Sequence, residues 1–279
     1  MYNLWTPGIF SRFLSQIRDS QLTKGGNEGF VAGVVPAHTS SATPSFGQRS
    51  SGLDISWTAA YALNAGWLLR YYGDVASVTE HWPSLMLWAD GQLRVAASPS
   101  YESNSTSPGL PDFYTWGDWC AAESRADATP GTGPQLAAAN FLMALKSMAE
   151  IGAAVGDAAN AQKYNDTYAK LLPIFDKRFW NSTTETWASD PLELQTLTAV
   201  TLGAGVGSPS KRAKAVAALD RDITARGHHL TVGSAGQKWL LRTLSQEWKH
   251  DTALRLAMQV RYMKKLLDLL LLQCILSRI

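Results

Sequence analysis

Cysteine is nearly missing from this chain of 279 residues: only Cys120 and Cys274 occur, which excludes a disulfide framework and any paired-cysteine metal site. The five histidines, His38, His81, His228, His229 and His250, never take the HxxxH spacing of a zinc motif. An excess of one charge is missing too. Lys and Arg number 25 against 23 Asp and Glu, a net charge of +2 with the basic residues scattered, so nothing favours nucleic acid as a partner. The apolar run LLDLLLLQCIL at 266–276 is too short to span a membrane. The N-terminal MYNLWTPGIFSRF lacks the basic and apolar regions of a signal peptide. Three N-x-S/T sequons, at Asn104, Asn165 and Asn181, are a slight sign of a secretory route, and the compartment stays open. Strand-like alternation of Val, Ile and Thr is rare and short.

What is present is helical periodicity. Between Gln135 and Val155 the residues Leu136, Phe141, Leu145, Met148 and Ile151 keep the three-and-four spacing of one buried face. Tyr164, Tyr168, Leu171, Phe175 and Phe179 repeat it in the next segment. Gly156-Asp157 lies between them, a left-handed helix end followed by a capping side chain, which predicts an αα-hairpin with a very short turn. Gly73-Asp74 repeats the device after the helical run from Ala60 to Tyr72, and His250-Asp251 reads as a third turn ahead of TALRLAMQ. Ser208-Pro209 signals one more helix start.

Long irregular segments fall at 23–55, 97–134, 181–191 and 226–235. If the short turns share one end of a helical array, hairpin geometry sends these loops to the other end. The expected fold is all-α, a toroid of helical hairpins with a loop-built cleft on one face.

Three loop clusters are candidates for a site. FYTWGDWC, 113–120, sets Tyr114, Trp116 and Trp119 beside Asp118. Sugars need this combination, because their C–H faces stack on rings while their hydroxyls need polar partners. In LDISW, 53–57, Asp54 and Trp57 can line a cleft, or they can be a helix cap and a core ring. In GHHLTVGSAG, 227–236, His229 can donate to a ligand or satisfy loop carbonyls. GAGVGS, 203–208, lacks both the GxGxxG spacing and a preceding strand, and GSAG is not a nucleophile elbow.

In order, SWTAAYALNAGWLLRYYGD (56–74), FYTWGDW (113–119), MAEIGAAVGDAANAQKYNDTYAKLLPIFDKRF and GHHLTVGSAGQKWLL with TALRLAMQ resemble the α-L-rhamnosidases of bacterial and fungal type. The resemblance covers residues 5–259 and implies an (α/α)6 barrel of the six-hairpin glycosidase class. It implies hydrolysis of terminal α-L-rhamnosides with inversion and without a cofactor, using two carboxyl groups about 6.5–9.5 Å apart. The family carries its general acid just upstream of the segment matching Met1 and its general base soon after the last matched motif. Neither motif occurs here, and Ala59 stands where many members have an acidic residue. The expectation is therefore an incomplete catalytic domain over 1–259 with a divergent tail over 260–279, and no catalytic residue is assigned. Asp54, Trp57, Tyr114, Trp116, Asp118, Trp119 and His229 are expected to bind a rhamnose-containing glycoside, with Asp112 and Glu123 as further local carboxylates. The alternative is a non-catalytic carbohydrate-binding or helical scaffold module. An open barrel would leave apolar faces for self-association.

Overall fold

The computed structural model describes residues 7–25, 28–33, 35, 54–98, 109–111, 117–118, 121, 133–188 and 191–259. Ten α-helices lie among them: α1 (Pro7–Asp19), α2 (Ile55–Thr58), α3 (Ala60–Tyr72), α4 (Val75–Ala96), α5 (Gly133–Ala154), α6 (Ala158–Phe179), α7 (Leu194–Gly203), α8 (Pro209–Ala225), α9 (Ser234–Gln246) and α10 (His250–Ala257). A 3-10 turn, Pro191–Glu193, leads into α7. The one β pairing among the described residues is an isolated bridge between Asn181 and Thr186.

The predicted turns form where the sequence places them. Gly73 adopts φ 64°, and the Asp74 carboxylate then accepts from the Ser77 amide at 2.9 Å and its hydroxyl at 2.6 Å. Gly156 adopts φ 81°, and Asp157 accepts from the Asn160 amide at 3.2 Å. Asp157 also accepts from Trp82 Nε1 at 3.0 Å, which ties the turn to α4 of the preceding hairpin. Ser208 caps α8 with Pro209 in its first turn. The third short turn departs from expectation: it spans Glu247–Lys249, with Trp248 left-handed at φ 61°, and α10 already begins at His250. No glycine marks that turn, and Asp251 lies inside the helix, paired with Arg255 at 2.8 Å.

Four hairpins follow one another: α3–α4, α5–α6, α7–α8 and α9–α10. Their first helices form a continuous inner row, α3 against α5, α5 against α7 and α7 against α9. The inner helices run parallel. Ser56, Gly66 and Arg70 meet Asn140, Ser147 and Glu150 in rising order. Thr196 and Ala199 meet Gly236 and Thr243 likewise. Every long loop therefore delivers the chain to an inner N-terminus at one end, and every short turn lies at the other.

The inner position explains a second departure. The sequence predicts a single buried stripe on α5, yet Gln135 through Leu145 are buried all round. On α7, Gln195 through Leu202 are all buried. A helix enclosed by neighbours on every side has no solvent face to keep polar. The outer helices keep one buried edge, such as Tyr164, Leu171 and Phe175 on α6.

Behind α3, a polar cluster joins α1 to α4. The Tyr61 hydroxyl donates to Ser84 Oγ at 2.9 Å and lies 3.2 Å from His81 Nδ1, and Ser84 Oγ donates to Gln21 Oε1 at 2.6 Å. His81 is fully buried, and its Nε2 has no partner among the described residues. Burial, and next the Arg18 cation, hold its imidazole below the ordinary value. The unfolded chain takes up this proton near pH 6.5 and the folded chain resists it, so stability is full above about pH 6.5 and declines as pH falls further. Urea melts at pH 7 and pH 5.5 should show this decline in the native chain and a flatter response in His81→Gln. Equal slopes would remove His81 as the cause.

Candidate active site

The loop end of the inner row concentrates polar side chains. Buried polar groups in the helices lie mainly on this row: Gln135 and Asn140 in the first half of α5, Gln195 and Thr196 at the start of α7, with Thr198 and Thr201 further along it; Thr58 on α2 adds to them. Asn140 Nδ2 donates to the Ser56 carbonyl at 3.3 Å and fastens α2 to α5. Gln135 Nε2 reaches Thr201 Oγ1 at 3.1 Å, joining α5 to α7. Gln195 binds the loop before α9 from two sides, donating to the His229 carbonyl at 3.1 Å and accepting from the Thr231 amide at 3.0 Å.

The residues singled out in the sequence take different positions here. Asp54 is 2% exposed and caps α2, accepting from the Ser56 amide at 3.0 Å and from its hydroxyl. Trp57, three residues on, is 37% exposed, so its ring is open to solvent at the loop end. His229 is exposed, following the left-handed His228 at φ 64°. Tyr114, Trp116 and Trp119 lie outside the described residues, as do Asp112 and Glu123.

Asp118 is the most heavily engaged. Its Oδ2 accepts from Gly233 N at 2.7 Å and from the Thr196 hydroxyl. Its Oδ1 accepts from Ala235 N at 2.8 Å and Gly236 N at 3.2 Å. The residue before α9 is Gly233, which has no side chain to cap the helix. Asp118 supplies the missing cap from more than a hundred residues away, against the positive end of the helix dipole. The sequence points to Asp118 as an acceptor of sugar hydroxyls. In the structure four donors of this chain already occupy a carboxylate with about four acceptor positions. Asp118 holds α7, α9 and its own loop together at the site.

The long loops, exposed Trp57 and polar inner helix starts thus share one end of a helical toroid. The model of the bacterial α-L-rhamnosidase six-hairpin glycosidase domain matches residues 1–266. The chain belongs to this family. No relative was found among curated proteins. Solved structures similar to this chain in fold include three α-L-rhamnosidases. An α-L-rhamnosidase from Dictyoglumus thermophilum is 23% identical with a TM-score of 0.74, over 91% of this chain and 26% of that one. The Streptomyces avermitilis α-L-rhamnosidase complexed with L-rhamnose is 21% identical at 0.69, over 91% and 21%. The native enzyme from Aspergillus terreus is 22% identical at 0.68, over 91% and 27%. This rhamnosidase-family chain therefore spans about a quarter of the length of those proteins.

Sequence reasoning passed over a group of cations on the inner helices of this family member. Lys146 is one exposed position in an otherwise buried stretch of α5, FLMALKSM. Lys238 and Arg242 stand one turn apart on α9. A lone lysine inside an apolar run was the available signal.

Proposed function

We propose that the loop end of this rhamnosidase-family toroid binds terminal α-L-rhamnosides, with Trp57 as a stacking platform. The reading is carried by the family match over residues 1–266, and the solvent-open ring of Trp57 among the inner helix starts supports it. Tyr114, Trp116 and Trp119 of the following loop would add further rings, and His229 a hydrogen-bond donor at the rim. Asp54 and Asp118 serve the same site by fixing the starts of α2 and α9.

Cleavage by the inverting route needs a carboxylic acid and a carboxylate about 6.5–9.5 Å apart with water between them. The resemblance implies that the family's acid- and base-bearing motifs lie outside the motifs matched in these 279 residues. We therefore assign binding to this stretch and hydrolysis to carboxyl groups it does not supply.

L-Rhamnose titrated against the chain should quench tryptophan fluorescence to saturation, and Trp57→Ala should weaken binding about 3–10-fold, the value of one stacking contact. An aryl α-L-rhamnoside should not be turned over above background. Robust turnover would overturn the assignment of binding alone, and unaltered fluorescence at high rhamnose would overturn the binding site itself.

A further inference from the structure

A different cavity lies at the short-turn end of the inner row. One chamber, of about 380 Å³, is lined by Lys146, Gly203, Gly205, Arg212, Trp239 and Arg242 among others. A second, of about 240 Å³, shares Lys146, Gly203, Trp239 and Arg242 and adds Trp67, Arg70 and Glu150. Four cations and one carboxylate therefore surround two adjoining spaces.

Two of those cations are matched. Arg70 pairs with Glu150 at 2.5 Å. Arg212 pairs with Glu247 and donates to the carbonyls of Leu202 at 3.1 Å and Val206 at 3.3 Å, which close the end of α7. Lys146 and Arg242 each face an aromatic ring. Lys146 Nζ is 5.7 Å from the Tyr168 centroid, and Arg242 Cζ is 5.6 Å from that of Trp239. No carboxylate among the described residues lies in ion-pair range of either one.

One turn before Arg242, Lys238 sits over the Trp67 ring, which lines the second chamber. Burial, with Arg242 and Arg70 adding repulsion, pushes the Lys238 ammonium down to about 7. Positive charge is thus crowded around the open side of these chambers, where Arg70, Lys146 and Lys238 are exposed and Arg242 is half-buried, and a negative ligand would relieve it. A guanidinium offers paired donors to an oxyanion, and an ammonium adds a point charge beside it.

We propose that this cavity binds an oxyanion, held by the guanidinium of Arg242 and the ammonium of Lys146. The ligand is either a free tetrahedral anion such as phosphate or sulfate, or the carboxylate of an acidic sugar. The larger chamber lies toward the short-turn end, where Gly203, Gly205 and Gln246 line it, while the second reaches Leu63 in the first turn of α3 and Met143 in the middle of α5; the ligand groups Lys146 and Arg242 are distinct from Trp57.

Isothermal titration at constant ionic strength with inorganic phosphate, sulfate, D-glucuronate and L-rhamnose tests it. At least one anion should bind saturably, and Lys146→Gln or Arg242→Gln should each weaken that binding at least tenfold. L-Rhamnose binding should be the same in both variants, so failure of either site is read independently of the other. Repeating the titration near pH 7 in buffers of different ionisation heat should reveal proton uptake, because the bound anion favours charged Lys238. Phosphate or sulfate binding identifies a free oxyanion, and glucuronate binding alone identifies a sugar acid. If a variant folds poorly, protection of Lys146 and Lys238 from acetylation in the native chain, read by mass spectrometry, replaces it. Absence of saturable binding by all three anions, or equal binding by Arg242→Gln, overturns the proposal.

Discussion

Asp118→Ala is expected to lower the melting temperature by roughly 6–12 °C, about 3 kcal/mol at 2–4 °C per kcal/mol. The loss has two sources. A buried carboxylate that accepts four hydrogen bonds disappears, and the amides of Gly233, Ala235 and Gly236 are left at a helix start with no side chain to receive them. Asp118→Asn should be nearly as damaging, because its amide places a donor among donors. Thermal melts of the two variants, with rhamnose titrations beside them, separate two roles. A residue that only contacts sugar would leave the melting temperature unchanged and weaken binding. A clamp between loop and helix should do the reverse in order of size, with stability falling first.

The second large effect belongs to Gly29. Its φ is +93°, and a Cβ built there would stand 2.0 Å from the backbone oxygen of Leu87 on α4. The segment is pinned from several sides. Gly29 N donates to the Leu22 carbonyl at 2.7 Å, Gln21 Nε2 donates to the Gly29 carbonyl at 2.9 Å, and Arg94 donates to the Glu28 carbonyl at 2.7 Å. Gly29→Ala therefore combines a left-handed penalty of about 1–2 kcal/mol with an overpacking cost of similar size, for a total of about 3 kcal/mol. Gly25 provides the control. Its φ is +87°, but nothing lies within 4 Å of an added methyl, so Gly25→Ala should show only the conformational part. Denaturant melts giving equal losses for the two variants would mean that the contact with α4 yields freely.

Local signals in the sequence carried the architecture well. A glycine followed by an aspartate is read within two residues, and Gly73-Asp74 and Gly156-Asp157 make the turns they predict. The third turn was misplaced by about two residues because Trp248 adopts the left-handed conformation, which residue type alone does not foretell. The one-stripe expectation for α5 failed because spacing cannot say how many neighbours a helix has. At the site, Trp57 could be located on α2 from its neighbours in the chain. The role of Asp118 could not, since its partners at 233–236 follow more than a hundred residues later. The one clue was negative: α9 begins after a glycine with no side chain of its own to cap it. Lys146 and Arg242 were illegible as a pair for the same reason, being brought together by helices that are distant in sequence.

That long reach of Asp118 also bears on the order in which the molecule takes shape. Each hairpin closes through a turn of a few residues, a short loop to shut, so α3–α4 and α5–α6 can each pair without waiting for the rest. The bonds from Asp118 to Gly233, Ala235 and Gly236 cannot form until the chain has run past residue 236 and α9 has found α7. The Asp118 clamp is thus a contact of high sequence separation, expected to close after the hairpins that it joins. Closing that clamp joins a scaffold of locally closed hairpins to the surface that it presents.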